Sequence, residues 1–153
     1  MNIALFAHNS ARHYSGGRYY SWMMAEALAS RVHQVTYITN NRPVFLDDFT
    51  TFPAHRQVRV ILTADFLRHI PPQPLDLLLL IPHVADNNAF FMKAELLARK
   101  CGARLALLNF ETPDWFNALS PIPRDPTLWE GWKYTARRAS IVLSLSHEGN
   151  RHA

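Results

Sequence analysis

Two adjacent glycines, Gly16 and Gly17, follow the apolar run Asn2 to Ala7 and precede a helical pattern that begins near Arg18. Residues without Cβ let backbone N–H groups approach a ligand, and the helix N-terminus behind them carries partial positive charge, so the pair could hold a phosphate or a sugar hydroxyl. An ordinary tight βα turn accounts for the same pair. Arg18 could offer phosphate a planar fork or be a solvated surface residue. His8 and Asn9 leave the apolar run at its carboxyl end, where polar side chains meet ligands in open α/β sheets. Glu111 follows a later apolar run, and a carboxylate there could orient a hydroxyl or balance charge as a glycosidic bond breaks; capping the turn before Pro113 explains it too. Asp114 beside Trp115 and Phe116 has the make-up of a sugar-binding patch, an aromatic face for the apolar side of a pyranose and a carboxylate for its hydroxyls. Asx-turn chemistry fits Asp114 equally well. His83 reads as a hydrogen-bonded rim residue, and Tyr14, Tyr19 and Trp22 as packing.

The elements that must position these residues alternate between short apolar runs and helical periods, the pattern of βαβ units around a parallel sheet. Strands are predicted at Asn2 to Ala7, His33 to Thr39, Val58 to Leu62, Leu75 to Ile81, Arg104 to Asn109 and Ile141 to Leu145. The fold class is α/β: a Rossmann-like three-layer sandwich with a central, mostly parallel sheet of about six strands. The first helix is predicted to bury Tyr20, Met23, Met24, Ala27 and Leu28. A second, Asn88 to Lys100, is marked by Asp86 or Asn87 as N-cap, Arg99 and Lys100 in the last turn and Gly102 beyond it. Asn40 to Arg56 is predicted to be a long connection that packs aromatic side chains near the strand ends. Phe110 to Thr127, with four prolines, cannot be a long helix.

Composition narrows the function classes. The chain has 153 residues, 48% of them hydrophobic, enough for one domain with its own core. The lone cysteine, Cys101, precludes an internal disulfide and reads as a small apolar packer in a reducing, cytoplasmic setting. No apolar run approaches the ~20 residues that span a bilayer. The net charge of +4 is scattered, with no basic run longer than Arg137-Arg138, so nucleic acid is not an expected partner. A helix carrying Trp129, Trp132, Lys133, Arg137 and Arg138 could lie on the inner face of an anionic membrane, although packing of Leu128, Trp132 and Ala136 against the sheet explains it more simply. No GxGxxG follows the first strand. The second ends in Thr39-Asn40-Asn41-Arg42, without the acidic residue that takes a ribose hydroxyl in NAD enzymes; Arg42 leaves NADP reduced rather than excluded. There is no Walker loop, no GxSxG and no zinc-spaced Cys/His cluster, and metal is not expected.

At coarse level the whole chain resembles the N-terminal half of a GT-B glycosyltransferase, in particular the retaining family 4. The resemblance is carried by Ser15-Gly16-Gly17-Arg18, the helix end Ala25-Glu26-Ala27-Leu28-Ala29, the strand His33 to Thr39, Leu75-Asp76-Leu77-Leu78-Leu79, and Ala139 to Ser146. It implies an acceptor-side domain in which Gly16 and Gly17 face the diphosphate of a nucleotide-sugar donor; Arg18, His8, Asn9 and Trp115, read from the residues themselves, are the further candidates for binding donor phosphate or substrate. Glu111 and Asp114, read from their own surroundings rather than from the resemblance, are the candidate catalytic residues. The acceptor would be a glycan, a lipid-linked sugar or a small molecule, and no cofactor is implied beyond the donor as substrate. The paired glutamates of the family's second domain are not in this sequence, so the resemblance implies a missing C-terminal partner domain and a segment inactive alone. The helix opened by Ser146 just before the end also reads as part of something longer. Two departures stand out: Val32 where many members have glycine, and no histidine in the loop after the fifth strand.

Overall fold

The computed structural model describes residues 1–9, 12, 16–31, 33–48, 58–62, 74–83, 86–109, 127–145 and 147. Six strands form one sheet: β1 (Asn2–Ala7), β2 (Gln34–Thr39), β3 (Val58–Leu62), β4 (Leu77–Ile81), β5 (Arg104–Asn109) and β6 (Ile141–Ser144). All described pairings are parallel, in the order β3-β2-β1-β4-β5-β6. The chain thus builds outward from β1 in one direction, then restarts at β4 on the other side. The β1/β4 seam is the topological switch point, where open α/β sheets leave a crevice beyond the strand ends. Ala7 pairs with Ile81, so the two strands finish level and the residues after them emerge side by side.

Helix α1 (Gly16–Ser30) and the short α2 (Phe45–Asp48) belong to one face; α3 (Asn88–Cys101) and α4 (Thr127–Ala136) cover the other. Strand alternation sorts the core accordingly. Leu5, Ala7, Tyr37, Leu79 and Leu108 pack with Trp22, Ala25 and Phe45, whereas Phe6, Ile38, Leu78, Leu80 and Leu107 pack with Phe90, Phe91, Leu97 and Trp132. β1, β4 and β5 are nearly continuous apolar runs because helices or chain cover them on both sides. The three-layer expectation and its six strands hold, with strand ends shifted by at most two residues.

α3 follows its sequence signals closely. Asn87, not Asp86, is the cap: its extended backbone (φ −124°) lets the side chain accept from the Ala89 N–H at 3.1 Å. Gly102 closes the helix in the left-handed region at φ 64°, which relieves the last carbonyls at no Cβ cost. α4 crosses α3 at Gly131, where a Cβ would lie 2.6 Å from the Phe91 ring and 3.1 Å from Asn88 Cα. Trp132 is buried in that same core. Cys101 is buried as a packer, and burial raises its thiol above the ordinary range.

Two expectations for α1 need correction. Gly16 and Gly17 are not in a loop before the helix; they form its first turn, and neither has positive φ. The buried stripe is also rotated from the predicted one. Ser21, Trp22, Ala25, Glu26 and Ala29 face the sheet, while Tyr20 and Ala27 are exposed and Met23, Met24 and Leu28 flank the contact. The reason is close approach: Ala25 and Ala29 let the helix backbone sit near the strands, and Trp22 fills the gap against Tyr37 and Phe45. Phe45, an aromatic of the long connection, packs here, as expected, while Phe49 and Phe52 lie outside the described residues.

Candidate functional site

The switch point gathers polar side chains from three places: the end of β1, the first turn of α1 and the end of β4. His8 leaves β1 and places Nδ1 2.5 Å from Asp86 Oδ1. The other Asp86 oxygen accepts the backbone N–H of His83 at 2.6 Å, and the Asp86 N–H donates to the His83 carbonyl at 2.8 Å. The carboxylate therefore closes its own turn and binds an imidazole from the neighbouring strand. Asp86 is only 3% exposed. An ionised carboxylate can only accept, so His8 Nδ1 is the donor and, in the neutral ring, Nε2 holds the lone pair. The His8 ring leans on Phe90, centroids 4.4 Å apart, which backs it with the α3 core.

Arg18 reaches the same cluster from α1, with a guanidinium nitrogen 3.3 Å from His83 Nδ1. Burial, and then the Arg18 charge, lower His83 to about 4 against the pull of Asp86. Near neutral pH His83 is therefore uncharged and accepts from Arg18 through Nδ1. Burial also lowers Arg18 from its ordinary value, opposed by Asp86, yet a guanidinium stays charged under all physiological conditions. Among the described residues the seam thus brings together the Arg18 charge, the Asp86 carboxylate and the imidazoles of His8 and His83. Ahead of Arg18, Gly16 and Gly17 are exposed, and a Cβ on either would meet nothing within 4 Å.

Asn9, a residue expected to meet a ligand, is built into the junction between β1 and β2. It is 2% exposed and ties β1 to β2: its backbone N–H donates to Asn40 Oδ1 at 2.7 Å, and Asn41 Nδ2 donates to its carbonyl at 2.8 Å. Its amide nitrogen donates to Thr39 Oγ1 at 2.8 Å and Tyr37 Oη at 3.3 Å. The network has a direction. Ser21 Oγ donates to the Arg18 carbonyl at 2.6 Å, so the Tyr37 hydroxyl donates to Ser21 and accepts from Asn9. This relay fixes the first turn of α1, and hence Arg18, against β2. Burial raises the Tyr37 phenol, against its hydrogen bonds with Asn9 and Ser21. Asn9 Oδ1 is left as a buried acceptor with no donor among the described residues.

Of the residues singled out in the sequence, His8, Arg18, Gly16 and Gly17 lie at the carboxyl rim around β1. Glu111, Asp114 and Trp115 lie outside the described residues, as do Tyr14, Val32 and Ser146. Asp86 and the Tyr37–Ser21 relay were missed. Asp86 reads as a helix cap in sequence; the available signal was its place in the loop after β4, which the strand order sets beside the loop after β1. No three His, Cys, Asp or Glu residues among those described are arranged to hold a metal ion. No described helix is long and apolar enough to cross a membrane.

No protein-family model and no curated protein matches this chain. Among solved structures, a short-chain dehydrogenase/reductase SDR from Burkholderia vietnamiensis is similar over 97% of this chain and 85% of that one, at 12% identity and a TM-score of 0.39. Likeness at that level carries no argument about ligand or activity. The Rossmann-like assignment stands on the sheet order and the parallel register of this chain.

Proposed function

We propose that the chain is the acceptor-side Rossmann-like domain of a glycosyltransferase, which works with a second domain that grips a nucleotide-sugar donor. The observation that carries the reading is the His8, Asp86, His83 and Arg18 cluster at the β1/β4 switch point. Fixed positive charge suits a diphosphate leaving group, and a carboxylate-held imidazole suits a hydroxyl acceptor. The exposed first turn of α1 adds backbone N–H groups beside Arg18. Asn9 Oδ1, buried with no donor among the described residues, is a natural partner for a ligand hydroxyl. The acceptor is a glycan, lipid-linked sugar or small molecule, and no cofactor is needed beyond the donor.

A dinucleotide oxidoreductase is disfavoured by the end of β2. Asn40 and Asn41, where a ribose hydroxyl would seek an acidic partner, are committed to Asn9 instead. A non-catalytic module binding a phosphorylated ligand is the second reading, favoured by the exposed first turn of α1 at Gly16 and Gly17.

Calorimetric titration with UDP-, GDP- and ADP-linked hexoses, the free nucleotides, NAD and NADP tests the choice. The expected result is selective binding of one nucleotide sugar, lost in the Gly16→Val/Gly17→Val double variant while its unfolding midpoint is kept, because a Cβ at either exposed position meets nothing within 4 Å. Tight binding of NAD or NADP, or full binding by the double variant, would overturn the reading.

A further inference from the structure

From the open edge of the sheet we infer that β6 is a docking site for an extended partner segment in which apolar and acidic residues alternate, taken up as an added strand. The inference is independent of what the crevice binds.

β6 ends the strand order, and among the described residues it pairs only with β5. The Ser140 N–H donates to the Leu105 carbonyl at 2.7 Å. In a parallel ladder alternate residues address the same neighbour, so Ser140 and Val142 serve β5 while Ile141 and Leu143 turn their N–H and C=O groups outward. The Leu145 N–H turns back to the Asn109 carbonyl at 3.3 Å, which confines the open stretch to residues 141–143. An edge of this kind attracts another strand unless a charge, a proline or a bulge blunts it. The opposite edge strand, β3, carries the exposed Arg59. β6 carries neither charge nor proline. Val142 packs into the α3 core, so Ile141 and Leu143 stand on the α1 side of the sheet, 49% and 38% exposed.

The other side of this edge is basic. On α4, Gly131 and Thr135 meet α3, while Trp129, Trp132 and Ala136 lie against the core of the sheet. Steps of about 100° per residue then put Lys133 and Arg137 on the flank away from α3. α3 rests on β4 and β5, so that flank looks toward the open edge. Both side chains are exposed, and among the described residues neither forms an ion pair, although Glu130 shares the helix.

These surroundings select the occupant. A strand added to β6 turns alternate side chains to the two faces of the sheet, apolar ones beside Ile141 and Leu143 and acidic ones beside Lys133 and Arg137. A second copy of this chain, joined through a two-fold axis at the edge, would set Lys133 and Arg137 against their own images. Charge therefore favours an acidic guest over self-pairing.

The probes are a capped peptide of about ten alternating valines and glutamates, its valine–lysine counterpart, and a fully N-methylated form of the first. Titrated into the ¹⁵N-labelled chain, the valine–glutamate peptide is expected to shift the amides of Ile141 and Leu143 and to leave those of His8, Arg18 and His83 still. The N-methylated form cannot donate to the outward carbonyls of β6 and should not bind. Lys133→Glu/Arg137→Glu, at exposed positions, should weaken the valine–glutamate peptide about tenfold and turn the preference to the valine–lysine peptide. No shift on β6 at millimolar peptide would overturn the inference, as would binding of the N-methylated form or equal affinity for both charge patterns. A dimer in sedimentation of the chain alone, dispersed by Leu143→Lys, would give the edge to a second copy. Binding to phosphatidylglycerol vesicles without binding of the peptide would give the basic flank to a membrane, and either result would overturn the inference.

Discussion

Helices α1 and α3 flank the same central strands and meet them in opposite ways. α3 buries Phe90, Phe91, Ala94, Leu97 and Ala98, with a side-chain cap at one end and a left-handed glycine at the other. α1 presents Trp22, Ala25 and Ala29 and carries Ser21 and Glu26 inward, with Ser21 joined to the buried hydroxyl of Tyr37. A dry contact tolerates no loss of volume but asks little of direction. A polar contact contributes little net free energy, because each hydrogen bond replaces one with water, yet it fixes orientation. The difference teaches that both faces carry an apolar core, and that the α1 face adds to it a polar relay that holds Arg18 and the first turn in place.

The largest expected effect tests the dry side. Phe91→Ala removes a ring with 0% exposure wedged between the sheet and Gly131, and should cost about 3–5 kcal/mol in urea unfolding. Ligand affinity of the folded fraction should not change. A loss below ~1 kcal/mol would mean that α3 is not a stabilising face.

A middle-sized effect comes from the site's own charge. Unfolded His83 takes up its proton near pH 6.5, whereas the folded residue waits until about 4. Between those values the unfolded state binds more protons, so stability should fall as pH drops from about 6.5 to about 4, by about 2 kcal/mol once solvent screening is allowed for. His83→Gln should flatten this limb in urea melts recorded at successive pH values; an unchanged limb would place the titration elsewhere.

The smallest stability effect sharpens the contrast most. Tyr37→Phe deletes the hydroxyl that bridges Asn9 and Ser21 and should cost about 1 kcal/mol. Because the relay holds the first turn of α1, ligand affinity should weaken several-fold. Stability loss with unchanged affinity would reduce the network to packing.

Much of the dry side was legible in sequence because its signals are local. Asn87, Arg99, Lys100 and Gly102 each act within one turn of α3, and the Leu and Ile runs of β4 and β5 announce strands covered on both faces. The polar side was harder. α1 buries a stripe chosen by close approach of Ala25 and Ala29, which no count of apolar residues at helical spacing reveals. Gly16 and Gly17 read as a loop because glycine is a poor helix former, yet in a first turn the cost is small and both residues stay exposed. Asp86 took its meaning from a partner 78 residues away, through a strand order that only the folded sheet discloses. His8 was found from its position alone, and its tautomer could be argued only once that carboxylate was in view.

The central claim is that ligand binds in the crevice beyond β1 and β4. ¹H–¹⁵N correlation spectra recorded during titration with the nucleotide sugar selected by calorimetry test it most directly. The account predicts that the amides of His8, Asn9, Gly16, Gly17, Arg18 and His83 shift together along one binding curve, while those of α4 and β6 stay still. Shifts centred on α4 or β6, or no shift at the ends of β1 and β4 at saturation, would contradict it.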